Sequence, residues 1–175
     1  FDNLKLDQLE EAMKVGMELH LNELDAIANQ DEEPSFENTI VAMQSSGDAI
    51  DRVFTYYGIW SSNLSSQEFR DIQVKLSPQI SEYQSKINQN TALFERIKTV
   101  YEKSKSSELA PEKQRTLDLI YKDFEMSGAN LGKEDKKRYA AINKELSELY
   151  TQFSNNILHD EENYTTLFTK EQAAG

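Results

Sequence analysis

At 175 residues, with 38% hydrophobic and 10% aromatic content, the chain is long enough for one well-cored domain that buries roughly 70% of its unfolded surface. Its formal charge of −12 argues against nucleic acid or an anionic membrane surface as partner, because both carry the same sign. No cysteine is present, and three prolines with six glycines are too few for the turns of an all-β fold.

Helical periodicity runs almost end to end. Asp7 and Glu10 form a capping-box pattern ahead of a first helix whose stripe is Leu9, Met13, Met17, His20, Leu24 and Ile27, at steps of three and four. This helix is expected to stop before Asp31-Glu32-Glu33. Pro34 suits the first turn of a second helix, with Phe36, Ile40 and Met43 continued by Ile50, Val53, Phe54, Tyr57 and Trp60. Gly47 falls inside that stripe, where it costs about 1 kcal/mol relative to alanine, so close approach of a neighbouring backbone is its expected reason.

Ser65 and Glu68 make another capping box, opening a third helix through Phe69, Ile72, Leu76, Ile80, Tyr83 and Ile87. Pro78 predicts a kink or break within it. Leu93, Phe94, Ile97 and Tyr101 mark a fourth helix, followed by a polar loop over Lys103 to Ser107. Pro111 opens a fifth, striped by Leu117, Ile120, Tyr121 and Phe124, with Gly128 as its C-terminal cap. The last stripe, Tyr139, Ile142, Leu146, Leu149, Phe153 and Ile157, has the clearest period. Tyr164 to Thr169 then turns β-branched and aromatic, which favours a short strand. The expectation is an all-α single domain of about six long antiparallel helices, with a short strand near residues 163–169.

The chemistry-bearing residues are sparse. Zinc hydrolases of the H-E-x-x-H type need two histidines at i and i+4 on one helix face, with the Glu as general base. Neither His20 nor His159 opens that motif: Leu21-Asn22-Glu23-Leu24 follows one and Asp160-Glu161-Glu162-Asn163 the other. His20 reads as a packing histidine on an apolar stripe. The His159 to Glu162 run offers nitrogen and oxygen donors, but consecutive helical residues point in different directions. Tyr56, Tyr57 and Trp60 read as core and core edge rather than a ligand platform. Lys136-Lys137-Arg138 reads as the solvated face of the last helix. Asn63-Leu64-Ser65 and Asn163-Tyr164-Thr165 match the glycosylation sequon, a short pattern with little specificity. No G-x-S-x-G turn or Gly-rich phosphate loop occurs. No catalytic residue and no metal ligand is assigned.

Two stretches carry a resemblance. One is Pro34-Ser35-Phe36-Glu37-Asn38-Thr39-Ile40, followed by Ser46-Gly47 and Arg52-Val53. The other runs from Phe124 through Ser127-Gly128-Ala129-Asn130-Leu131 and Ile142-Asn143-Lys144-Glu145-Leu146-Ser147 to Leu149 and Phe153. Together with Leu93-Phe94-Glu95-Arg96-Ile97 they resemble, in order and spacing, the N-terminal helical region of the thimet oligopeptidase and oligopeptidase A family of zinc metallopeptidases. The peptidyl-dipeptidase (dipeptidyl carboxypeptidase) branch is the most similar. Ala174-Gly175 resembles the A-G-L-P segment that opens the next part of such enzymes.

The resemblance implies that residues 1–175 form a non-catalytic, cleft-wall domain that restricts access to short peptides, truncated before a catalytic zinc domain. Zinc, the peptide substrates and that C-terminal domain would then belong to the parent enzyme. The signature positions Phe36, Asn38, Thr39, Gly47, Gly128 and Asn143 are expected to be structural: a core anchor, backbone hydrogen bonds near a helix start, and glycines that permit a cap or close approach. The alternative is a free-standing acidic helical module that binds peptides or a protein partner. A peptidase portion should expose an apolar face where the rest docks, whereas a finished module should be mostly charged. Phe1 in place of a starting Met leaves the native N-terminus expected upstream, and the compartment open between cytoplasm and periplasm or cell envelope.

Overall fold

A computed structural model describes residues 5–107 and 109–173. The terminal Ala174-Gly175 resemblance lies outside the described residues. Six helices of 14 to 31 residues dominate: α1 (Leu9–Ala28), α3 (Asp48–Asn63), α4 (Gln67–Asn88), α5 (Thr91–Ser104), α6 (Pro111–Met126) and α7 (Lys133–Asn163). Shorter pieces join them: a 3-10 turn (Leu6–Gln8), a π-helical segment (Phe36–Val41) running into α2 (Ala42–Gln44), and α8 (Lys170–Ala173). The fold is all-α.

Cross-helix contacts give the directions. Gly47 meets α1 at His20 and Glu23, and Ile50 meets it at Gly16, so α1 and α3 run antiparallel. Phe94 stacks near Phe124 and Tyr101 lies 4.1 Å from Tyr121, making α5 and α6 antiparallel. Arg70 contacts Glu162 while Lys136 reaches Gln89, so α4 and α7 are antiparallel too. Between α1 and α4 the direction is shared: Glu10 pairs with Lys75 and His20 with Tyr83.

Two adjoining cores share α1 as a spine. Its first half (Leu9, Met13, Met17) packs with Ile50 and Trp60 of α3 and Phe69, Ile72, Leu76 and Tyr83 of α4. Its last turns (Leu24, Ala28) pack with Phe36, Ile40, Leu93, Phe94, Ile97, Val100, Leu117, Phe124 and Ala129. Each fully buried aliphatic or aromatic side chain contributes roughly 1.5–3 kcal/mol. α7 contributes to neither core and contains no buried residue.

Several local expectations are corrected. Asp7 does not cap α1. The chain is already wound into a 3-10 turn, so Asp7 lacks the extended backbone a capping side chain needs; Gln8 precedes α1 with no side-chain cap bond. Pro34 stands outside the next helix. Ser35 caps it instead, its Oγ accepting from the Asn38 N–H while Asn38 Oδ1 accepts from the Ser35 N–H, a reciprocal box that satisfies two end donors. Ser66, not Ser65, caps α4, through the Phe69 N–H.

The single helix expected through Gly47 is two helices. Gly47 has φ +88°, which terminates one and starts the other, because a left-handed residue cannot extend a right-handed helix. Its N–H donates to Glu23 Oε2 on α1 at 2.7 Å. Gly128, also at φ +88°, ends α6 with both bonds of a Schellman cap, Ala129 N–H to Phe124 O and Gly128 N–H to Glu125 O. Pro78 does not break α4, which runs unbroken across it; buried Leu76 and Ser77 beside it hold the chain in place. No strand forms over 164–169. These residues stand exposed, with Leu167 at 89%, and no edge lies alongside to pair with, without which an extended segment gains nothing.

Candidate functional site

The sequence-derived positions scatter over the bundle. Phe36 is buried in the α5–α6 core with Lys113 Nζ above its ring. Asn38 is a hub: besides the Ser35 box, its Nδ2 donates to the Glu33 carbonyl, and its Oδ1 accepts from Thr39 Oγ1 and Arg96 Nη2. Thr39 is fully buried. Arg96, which sequence reasoning noted only within a motif, fastens the 29–35 connection to α5 through the carbonyls of Gln30 and Glu32. Asn143 lies instead on α7, beside a groove against α4.

His20 sits in a polar chain crossing three helices. The Ser46 hydroxyl donates to the Met43 carbonyl at 2.8 Å, so its oxygen accepts from His20 Nε2–H at 3.0 Å, and in the neutral ring Nδ1 accepts from the Tyr83 hydroxyl. Burial lowers the imidazole pKa, against the opposing pull of the Glu23 and Asp51 carboxylates. Burial, with those same carboxylates, pushes the Tyr83 hydroxyl up to about 12.

The acidic run near the end of α7 is dispersed. Glu162 turns to Arg70, which grips it with two bonds at 2.8 and 3.0 Å, and this bond holds its carboxyl below the usual range. His159 faces Asn163 and the groove beside Arg70. Among the described residues no group of three or more His, Cys, Asp or Glu is placed to hold a metal ion, and both ring nitrogens of His20 are engaged. The described side chains do not fit a zinc site. Tyr57 packs on Phe69 at 5.4 Å and Trp60 is buried, which places these aromatics in the α1–α3–α4 core. Lys136 is not simply solvated: its Nζ donates to Gln89 O and Thr91 Oγ1 at the α4–α5 junction.

The most distinctive surface belongs to α7. Its half-buried residues Lys136, Ala140, Asn143, Ser147, Thr151 and Asn155 form a polar or small row toward α4, with Tyr139, Glu148 and Leu158 also half-buried. Ser77 and Ser147 exchange side-chain-to-carbonyl bonds, and Thr151 Oγ1 donates to Ser77 Oγ. Two grooves of about 380 and 420 Å³ flank this seam, lined largely by amides and hydroxyls. The periodic apolar row lies elsewhere: Ile142 (46%), Leu146 (41%), Leu149 (53%), Phe153 (63%) and Ile157 (43%) are exposed. At 3.6 residues per turn this row sits roughly 140° round the helix from the α4-facing one.

The sequence model of the neurolysin/thimet oligopeptidase N-terminal domain matches residues 6–137. The chain belongs to this family. It is 30% identical to a dipeptidyl carboxypeptidase of Salmonella typhimurium over 158 residues, 90% of this chain and 23% of the relative. The Escherichia coli dipeptidyl carboxypeptidase is 28% identical over the same shares. An oligopeptidase A of Salmonella typhimurium is 31% identical over 137 residues, 78% of this chain and 20% of the relative. The chain thus spans less than a quarter of the length of these relatives. The family read from Pro34 to Ile40 and from Phe124 to Phe153 is the right one, with the dipeptidyl carboxypeptidase branch among its relatives. The N-terminal domain match holds both cores and ends at 137, in the opening turns of α7. Among the described residues no helix is long and apolar enough to cross a membrane.

Proposed function

We propose that this chain is the non-catalytic N-terminal portion of a zinc peptidase of the oligopeptidase or dipeptidyl carboxypeptidase kind, and that it forms one wall of a cleft admitting short, unstructured peptides. The observation that carries this reading is membership of the N-terminal domain family across 6–137 in a chain with no metal-holding group among its described residues. Zinc, when bound, supplies a Lewis acid and an activated water, and we assign it to the remainder of the polypeptide. What residues 5–173 contribute is a rigid bundle, two cores joined through α1, that can limit the width of an opening without taking part in chemistry.

The exposed apolar row of α7 also favours this reading over a free-standing acidic binding module, whose finished surface would be charged. The test is a paired assay. The whole polypeptide with zinc should cleave short peptides and spare the same sequence when it is embedded in a folded protein, while the 175-residue chain should cleave neither. Cleavage of the embedded sequence at a similar rate would overturn the gating role. Cleavage by the 175-residue chain would overturn the non-catalytic assignment.

A further inference from the structure

α7 is fastened to the bundle by its less adhesive side. Beyond the Arg70–Glu162 ion pair, its bonds to α4 are hydrogen bonds that replace equivalent bonds to water, so each gains little, and the flanking grooves let solvent reach the seam. Its apolar row, the side with more to gain from burial, stands exposed, with Leu146 at the edge of the groove against α4. A row of five exposed large residues on one helix face is the i, i+4, i+7 pattern of a helix that buries that face against a partner. The bundle does not need α7: neither core contains a residue from it, and the domain match stops as it begins.

We propose that α7 docks through Ile142, Leu146, Leu149, Phe153 and Ile157 onto an apolar surface of the remainder of its own polypeptide, which holds it more firmly than the preceding bundle does. The occupant follows from length and charge. The relatives are more than four times as long as the matched segment, so ample chain is available to cover the row, whereas a second copy would bring together two bodies each carrying −12. The argument rests on the family reading only for that length of chain. The seam between α4 and α7 then becomes the looser of the two contacts.

Hydrogen exchange on the 175-residue chain and on the whole polypeptide tests this directly. In the 175-residue chain, amides of residues 140–158 should exchange on the order of 100-fold faster than those of α5, and in the whole polypeptide they should slow by a similar factor while α5 changes little. Leu149→Glu with Phe153→Glu should leave the melt of the 175-residue chain unchanged and restore fast exchange of α7 in the whole polypeptide. Three results would overturn the proposal: α7 as protected as α5 in the 175-residue chain, α7 equally fast in both proteins, or α7 protection that rises with concentration of the 175-residue chain, which would make a second copy the occupant. If the double variant prevents the whole polypeptide from folding, the comparison of the two unmutated proteins still decides. Should exchange follow expectation while the whole polypeptide cleaves no peptide, the docking stands and the peptidase reading falls.

Discussion

Ser77 and Ser147 bind each other reciprocally across α4 and α7: the Ser77 hydroxyl donates to the Ser147 carbonyl at 2.9 Å, and the Ser147 hydroxyl to the Ser77 carbonyl at 3.1 Å. Thr151 adds a third bond at this point of a seam whose flanking grooves admit solvent. Ser77→Ala should cost about 1 kcal/mol of α7 attachment, the usual net worth of such hydrogen bonds. Exchange of α7 amides should speed several-fold while the denaturation midpoint of the bundle barely moves. A large drop in that midpoint would mean the seam supports the cores, against the arrangement described.

His20 makes stability depend on pH. Its folded pKa is below the unfolded value of 6.5, so the folded state resists protonation that the unfolded chain accepts. That stabilisation is complete above pH 6.5 and is lost as pH falls from there through the folded pKa. Protonation would also place a proton on Nδ1, where the Tyr83 hydroxyl now donates. Urea denaturation between pH 5 and pH 8 should show stability rising with pH, and His20→Gln should flatten that slope. An identical slope in the variant would remove His20 as its source.

Gly16 lets α1 and α3 cross closely. A Cβ there would stand 3.1 Å from the Ile50 Cα and 3.1 Å from its Cδ1, and the backbone atom cannot rotate away. Gly16→Ala should destabilise the chain by roughly 1–3 kcal/mol, the range for overpacking, despite alanine's better helix propensity. A chemical denaturation midpoint equal to or above that of the unsubstituted chain would show that the helices can part at no cost.

Arg96 holds the connection between α1 and the π-helical segment with a planar fork. Nη1 reaches the Gln30 and Glu32 carbonyls and Nη2 the Asn38 side chain. Lysine offers one charged point and cannot span these acceptors. Arg96→Lys should cost about 2 kcal/mol, within the range for hydrogen bonds to a charged group, and should loosen residues 29–35 first, read as faster local exchange at Asn38 and Thr39.

Much of the helical layout was legible in the chain itself. Steps of three and four place Leu9, Met13, Met17 and Leu24 on one face because 3.6 residues make a turn, and all four are buried. Gly128 reads correctly as a cap because its position just past an apolar stripe leaves few other uses for a glycine. Gly47 reads less well. Periodicity continues across it, since a three-residue break can preserve the facing of both stripes, and only the backbone itself, at φ +88°, reveals the left-handed turn. The close-approach role expected there belongs to Gly16, which sequence reasoning passed over.

The sequence by itself determined what local chemistry can determine: an all-helical chain, its family, and the absence of an H-E-x-x-H segment. It also showed that α7 has an apolar row, because amphipathicity is a property of order along one helix. Only the tertiary structure decided which side of α7 meets the bundle, since that depends on what α4 offers opposite it. There Ser77 and Arg70 select the polar face, and the apolar row is left outward.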